Sequence, residues 1–555
     1  MIKLKYIAFL VLCFSLFTSL FAQQEEIEKE VLVEKAYEPE VADAQKISEL
    51  PQLVDTIQVE PEYTYQVFPV AISTEYRAEP IQPATMVGES LSRLYNKFIM
   101  VGAGNKVLPS VQLGINNLRN DEFSIGGLAS IASSSARVNH LNDEQVFAGY
   151  GDSDFKVYGK KFFNDAIFSS ALDLKTTRRY FYGYAPSVDT SFNRSDIKQR
   201  YTDIGFDSRF KSNYQDSLHL NYNIHFDYYY FQDMNNHQEN RLDLQGNFDK
   251  FIGTERFGVD GGFTFFERSA SLDSFANFLV NGAAWIGKFE TDWQVKAGIK
   301  IVSDFYNEET TVYYYPVASF EYNIVNNYVV PYIGVDGGLN ENPYQQTAYK
   351  NPFIIPGVNP RKSNNKIEIY GGIRGTASPS TSYNLRIRYR AVDDMHFFIN
   401  DGSLTGNQFN VVYDDIQVTE LFGEFQAGIG DKLNFHVQGN LFNYAMQDEE
   451  KPWHKPNYRL SLSGRYNIQD KIILKTAVFG IGERHAFLSK DPVSGDVTYN
   501  TLDAVIDLNA EIEYFFSKVF SAYLKFNNIT GSQYQVWNYY PTYGFNMQAG
   551  IYYAF

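Results

Sequence analysis

Cysteine is nearly absent from this sequence. The 555-residue chain holds one, Cys13, inside an apolar run at the N-terminus. Beyond that run no thiol remains, which excludes disulfide scaffolds, thiol catalysis and cysteine-ligated metal centres. Tryptophan and methionine are scarce too, at 4 and 7 residues. After the first 22 residues no stretch of about 20 apolar residues occurs, so no transmembrane helix is expected. Positive charge is also short: 48 Lys and Arg face 65 Asp and Glu, a formal net charge of −17. Phosphate backbones call for basic faces, so nucleic acid is not an expected partner.

What the chain has instead is aromatic: 42 Tyr and 45 Phe, with 39 Gly. Tyr and Phe suit pleated surfaces and the girdles of membrane–water interfaces. Lys3 and Lys5 precede an apolar stretch over 6–21, and Ala22 is followed by Gln23 and Gln24. This pattern predicts a secretory signal peptide over 1–22. Leu12 is a poor lipobox residue, so no lipid anchor is expected at Cys13. Residues 23–95 carry fifteen Asp or Glu against five Lys or Arg, and six of the 19 prolines. No helical or strand periodicity persists there, and the segment reads as extended, acidic and periplasmic.

From 96 to 555 the pattern is period two. In 502–514, Leu502, Ala504, Ile506, Leu508, Ala510, Ile512 and Tyr514 alternate with Asp503, Asp507, Asn509, Glu511 and Glu513. Stretches 217–230 and 457–468 repeat this, giving each strand one apolar and one polar side. The strands run to 12–18 residues, longer than soluble sheets use. Connections alternate between tight ones (Gly430-Asp431, Gln469-Asp470, Ser517-Lys518, Asn326-Asn327, Glu290-Thr291) and long ones (135–153, 186–198, 343–364, 400–407, 446–456, 489–501). That asymmetry belongs to outer-membrane barrels. The expected fold is all-β: a closed antiparallel transmembrane β-barrel of about 22 strands, with an even count that puts both ends in the periplasm. The aromatic runs Tyr228–Phe231 and Tyr313–Tyr315 read as girdle residues.

The chain ends QAGIYYAF. Gln548, Gly550, Tyr553 and Phe555 follow the order polar-x-Gly-x-x-aromatic-x-aromatic, which resembles the signal read by the outer-membrane assembly machinery. Phe545, Met547, Ala549, Ile551, Tyr553 and Phe555 would then face lipid. Together with YNKFIMVGAGN, PSVQLGINN, FSIGGLASIASSS and FKVYGKKFF over 95–163, the sequence resembles the barrel of TonB-dependent receptors. It most resembles the plug-less, receptor-like barrels of Bacteroidetes. The resemblance covers about 95–555 and implies integral insertion in the outer membrane and solute transport through a gated or plugged lumen. The chain departs from full receptors at the N-terminus, where a folded plug of well over a hundred residues is missing. Val31, Leu32 and Val33 resemble a TonB box, the segment that pairs with TonB by strand addition. The implied partners are outer-membrane lipids, the assembly machinery, and TonB or a surface lipoprotein.

The polar face holds the candidate chemistry. Arg386, Arg388, Arg390, Arg459 and Arg465 supply positive charge to the lumen, and Glu511 and Glu513 negative charge. They read either as a field across a water-filled pore that selects anions or zwitterions, or as a wall of mutually paired charges. The eight histidines show no metal-ligand spacing, and no catalytic triad stands out, so neither enzyme activity nor a cofactor is expected. The alternative to transport is a non-transporting scaffold subunit of an envelope complex.

Overall fold

The computed structural model describes residues 95–555, apart from 189–191, 215–218, 274–275, 326, 404 and 431. The expected signal peptide, the acidic segment up to 94, and Val31, Leu32 and Val33 lie outside the described residues.

Alternation produces a meander of 22 barrel strands. The first eight are β1 (Lys97–Gly104), β2 (Ser110–Asn116), β3 (Phe123–Ser134), β4 (Tyr150–Phe162), β5 (Ala166–Tyr180), β6 (Lys198–Ser212), β7 (Asn221–Gln232) and β8 (Gln238–Ile252). Next come β9 (Glu255–Arg268), β10 (Asn277–Phe289), β11 (Trp293–Tyr306), β12 (Glu309–Tyr322), β13 (Val330–Asn340), β14 (Ser363–Ser378) and β15 (Thr381–Asn400). The last are β16 (Phe409–Ile429), β17 (Leu433–Met446), β18 (Tyr458–Ile468), β19 (Ile472–Ile481), β20 (Val505–Phe515), β21 (Phe520–Asn527) and β22 (Asn546–Ala554). Each pairs antiparallel with the next. β22 pairs back onto β1, with Phe98 opposite Ala554 and Gly104 opposite Gln548, so no edge is left open. Lipid offers no hydrogen bonds to an edge, so closure is what makes the sheet viable in a bilayer.

Which side faces out is decided by exposure. On β20, Ile506 is 64% and Ile512 41% exposed, while Asp507 is 2%, Asn509 0% and Glu511 4%. The apolar row points outward and the polar row inward, the reverse of a soluble protein. Leu385, Ile387, Leu421, Leu441, Leu460 and Ile551 continue this exposed apolar belt. No helix among the described residues is long and apolar enough to cross a membrane. The strands do the crossing, and the protein is an integral outer-membrane barrel.

The barrel has a turn end and a loop end. At the turn end Gly253, Gln469, Asp470 and Gly430 adopt positive φ, 69°, 53°, 55° and 52°, which tight hairpins need. The opposite end carries the long connections. Here the structure corrects the sequence reading. β19 leaves the barrel after Ile481, and the 489–501 stretch read as a long loop is largely hairpin: Arg484–Lys490 pairs with Val497–Leu502. A side chain at Gly482 would run into Asn457 and Tyr458, so the chain turns away there. β22 starts only at Asn546. The 343–364 loop contains a short helix, α1 (Tyr344–Lys350).

Candidate functional site: a loop-capped lumen

A ring of 22 strands encloses a lumen that side chains of the wall alone do not fill. At the loop end, the connections fold inward. The β13–β14 loop (341–362) carries a helical turn and several buried residues. Tyr344 and Ala348 lie one turn apart on α1, and both are fully buried, as are Ile354 and, from β16, Phe409. Three apolar side chains on a solvent loop would be costly; buried, each contributes roughly 1.5–3 kcal/mol when large.

They are buried against loops from around the ring. Phe353 stacks on Tyr540 of the β21–β22 loop at 3.8 Å. Tyr182 of the β5–β6 loop meets both edge-on, and its hydroxyl donates to the Pro541 carbonyl at 3.0 Å. Tyr201 donates to the Pro352 carbonyl at 3.1 Å. The Phe409 amide donates to the Phe353 carbonyl and the Ile355 amide to the Phe409 carbonyl, at 3.0 and 2.9 Å. The three loops spring from β5/β6, β13/β14 and β21/β22, which follow one another at steps of eight, eight and six strands around the ring. Loops rooted so far apart can meet only over the lumen. Together they form a cap across the mouth.

One side of the wall holds this cap through paired charges. Glu239 on β8, fully buried, accepts from the Tyr344 amide at 3.0 Å and the Gln345 amide at 3.2 Å. It also accepts from Tyr229 Oη at 2.8 Å and Arg268 Nε at 2.7 Å. Arg268 reaches on to Asn359 of the loop at 2.8 Å. Arg241 joins Asp243 at 2.7 Å and Glu341 at 3.0 Å. Asp203 accepts from Tyr349 Oη and Gln345 Nε2, at 2.8 and 2.7 Å. Asp233 accepts from Tyr344 Oη at 2.8 Å and His237 Nδ1 at 2.9 Å.

The other side, β14–β18, carries cations in a different state. Cross-strand register decides which of the three arginines on β15 is paired. Glu420 stands opposite Arg388, but Val418 stands opposite Arg390 and Phe422 opposite Arg386. Arg388 therefore grips Glu420 and reaches Glu368 at 3.4 Å, and Asn440 donates to Glu420 at 2.6 Å. Arg386 lies over the Phe422 ring at 4.9 Å, and the Nε of both Arg386 and Arg390 is buried without a partner.

No protein-family model and no curated protein matches this sequence. Solved structures do. The FrpB iron transporter from Neisseria meningitidis (F3-3 variant) aligns over 84% of this chain and 82% of its own, with a TM-score of 0.63 and 10% identity. The siderophore receptor PirA from Acinetobacter baumannii aligns over 84% and 81%, also at 0.63 and 10%. The ferric-catecholate import receptor Fiu from K12 E. coli aligns over 84% and 82%, at 0.59 and 10%. The fold is that of outer-membrane receptor barrels. Identity this low establishes the fold alone, and at that level the resemblance read from the sequence holds.

On this receptor-type barrel the sequence-predicted residues separate. Glu511 pairs with Lys475 at 2.9 Å and Lys525 at 3.4 Å, and Glu513 accepts from Ser521 Oγ at 2.7 Å. Arg459 and Arg465 project inward from β18 with no hydrogen-bond acceptor or carboxylate in reach among the described residues. In β22, Tyr553 and Phe555 are exposed on the outer face, together with Met547 and Ile551, while Gln548 is buried. Gly550 leaves room for the Tyr523 ring, which any side chain there would strike. The girdle expectation holds for Tyr314, 63% exposed, but Tyr229, Phe231 and Tyr315 point inward and are buried. Sequence reasoning missed the cap. Its signal was present: Tyr344, Phe353, Ile354 and Ile355 are apolar residues in a loop expected to be wet. Tyr229 and Phe231 also share the face of Asp227, so the inward row turns aromatic toward the loop end.

Proposed function

We propose that this protein passes a solute across the outer membrane through a lumen gated at the loop end by the β13–β14 segment. The loop end faces the outside in barrels of this kind. The observation that carries the reading is a charged inner wall behind a closed cap. A scaffold has no need to keep unpaired cations inside a sealed barrel, because buried unpaired charge is costly. The receptor-type fold supports transport in general terms. On this reading Val31, Leu32 and Val33 couple the barrel to TonB, or a surface lipoprotein works the cap. Gln548, Gly550, Tyr553 and Phe555 deliver the chain to the assembly machinery.

Single-channel conductance in planar bilayers tests this. The intact protein is expected to be closed, and a variant with 343–358 replaced by a short Gly/Ser linker is expected to conduct. Equal, high conductance in both removes the cap as gate. Silence in both moves the reading to the alternative, a non-transporting scaffold subunit.

A further inference from the structure

Beneath the cap, on the unpaired side of the wall, cations converge from four separate elements. Arg390 comes from β15, Arg459 from β18, Lys455 from the β17–β18 loop and Lys350 from the C-terminal end of α1. The Lys350 amine lies 3.1 Å from His396 Nε2 and faces the Lys455 amine. Arg459 and Arg390 are close enough to Lys455 to add to its repulsion. Lys350 also lies 5.7 Å above the Phe398 ring, and Lys455 5.7 Å above Phe397. The nearby carboxylates are already engaged. Glu420 is held by Arg388 and Asn440, Glu368 by Arg388 and Asn365, and Asp393 by Lys366. None of the four converging cations has a carboxylate partner among the described residues. All four residues are half-buried.

Burial holds the Lys350 amine down to about 8 and, with the repulsion of the neighbouring cations, holds Lys455 well below its ordinary value. A protein of net charge −17 that concentrates uncompensated cations at one internal place has built a complement to something. Guanidinium groups match oxyanions in shape, through paired N–H donors, and ammonium groups add point charge.

We propose that Arg390, Arg459, Lys455 and Lys350 form a binding site for a small multivalent oxyanion, a phosphorylated or polycarboxylate solute, held under the closed cap. The proposal rests on the transport reading for its purpose, but its test needs no passage through the barrel. Full-length protein in detergent is titrated calorimetrically with inorganic pyrophosphate and, separately, with citrate. Saturable binding of one or both is expected, weakening at least tenfold in Arg390→Gln and in Arg459→Gln. Arg119→Gln, exposed at the turn end, should bind as the wild type does. Because a lumen substitution can disturb assembly, each variant is checked for heat-resistant folded mobility on gels, and Lys455→Met provides a loop variant that leaves the wall intact. Preference for pyrophosphate assigns a phosphorylated solute; preference for citrate assigns a polycarboxylate. Absence of binding by the folded wild type overturns the site. So does binding that survives unchanged in folded Arg390→Gln and Arg459→Gln, or that falls equally in Arg119→Gln. A conducting wild-type barrel, by contrast, would remove the gate and leave this titration standing.

Discussion

Two sides of one lumen wall handle buried charge in opposite ways. On β6–β9 every cation named above has a carboxylate within about hydrogen-bond reach, and those carboxylates also hold the cap by its backbone and tyrosines. On β15–β18 only Arg388 is so treated, while Arg390 and Arg459 face the lumen unpaired. The lesson is that inward-facing charge has no single meaning in a barrel. Arg388 has Glu420 across from it on β16 and its charge is structural; Arg390 has Val418 there, and Glu368, across from it on β14, is engaged by Arg388 instead, so the Arg390 charge is left available.

Substitutions on the paired side should have the largest effects. Glu239→Ala strands Arg268 and releases two amides of α1 at once. Breaking a buried pair from one side costs about 3–5 kcal/mol, so hydrogen exchange over 343–358 should rise to nearly unprotected rates while the barrel strands stay protected. Cap protection unchanged in this variant would dissolve the distinction between the two sides.

A pH effect comes next, from the unpaired side. Burial first, and then Arg459, hold the Lys350 amine down to about 8. With the cap open the amine returns to its ordinary, higher value, so the closed state disfavours the proton. Cap stability is therefore full at high pH and is lost as the pH falls through about 8. Subtilisin cleavage within 343–362 should be slower at pH 9.5 than at pH 7.5, and Lys350→Met should reduce the difference. Lys455 titrates beside it and sharpens the same trend.

Smaller effects separate the sides further. Tyr349→Phe deletes one hydrogen bond to Asp203, worth about 1 kcal/mol, and should raise cap exchange several-fold. Arg390→Met removes an unpaired buried cation, so the barrel's melting temperature should hold or rise slightly. A clear fall would mean that Arg390 is paired after all.

Much of the fold was legible in sequence because alternation is a local property. Ile506, Asp507 and Glu511 announce their faces by parity alone, and the 22 strands fall close to where period two puts them. Boundaries failed where a local pattern persisted after the chain had left the sheet. Arg484 to Lys490 is still strand, but it pairs with Val497–Leu502 and not with the barrel. The site was less legible for the same physical reason. Arg386, Arg388 and Arg390 look identical along β15, and it is their cross-strand neighbours on β14 and β16 that tell them apart. The cap depends on contacts such as Phe353 with Tyr540, nearly two hundred positions away in sequence, and no local pattern encodes them.

The central claim is that loops, meeting over the axis, shut the lumen from the outside. Cysteine accessibility tests it directly, since Cys13 is the chain's one thiol and is readily replaced by Ser. Ser461 lies two residues below Arg459 on the inward face of β18, and Asp491 lies exposed at the tip of the 484–502 hairpin. Ser461→Cys should resist a bulky, membrane-impermeant maleimide added from outside, while Asp491→Cys labels fully. Labelling of both at the same rate would mean that the mouth is open and the cap does not close it.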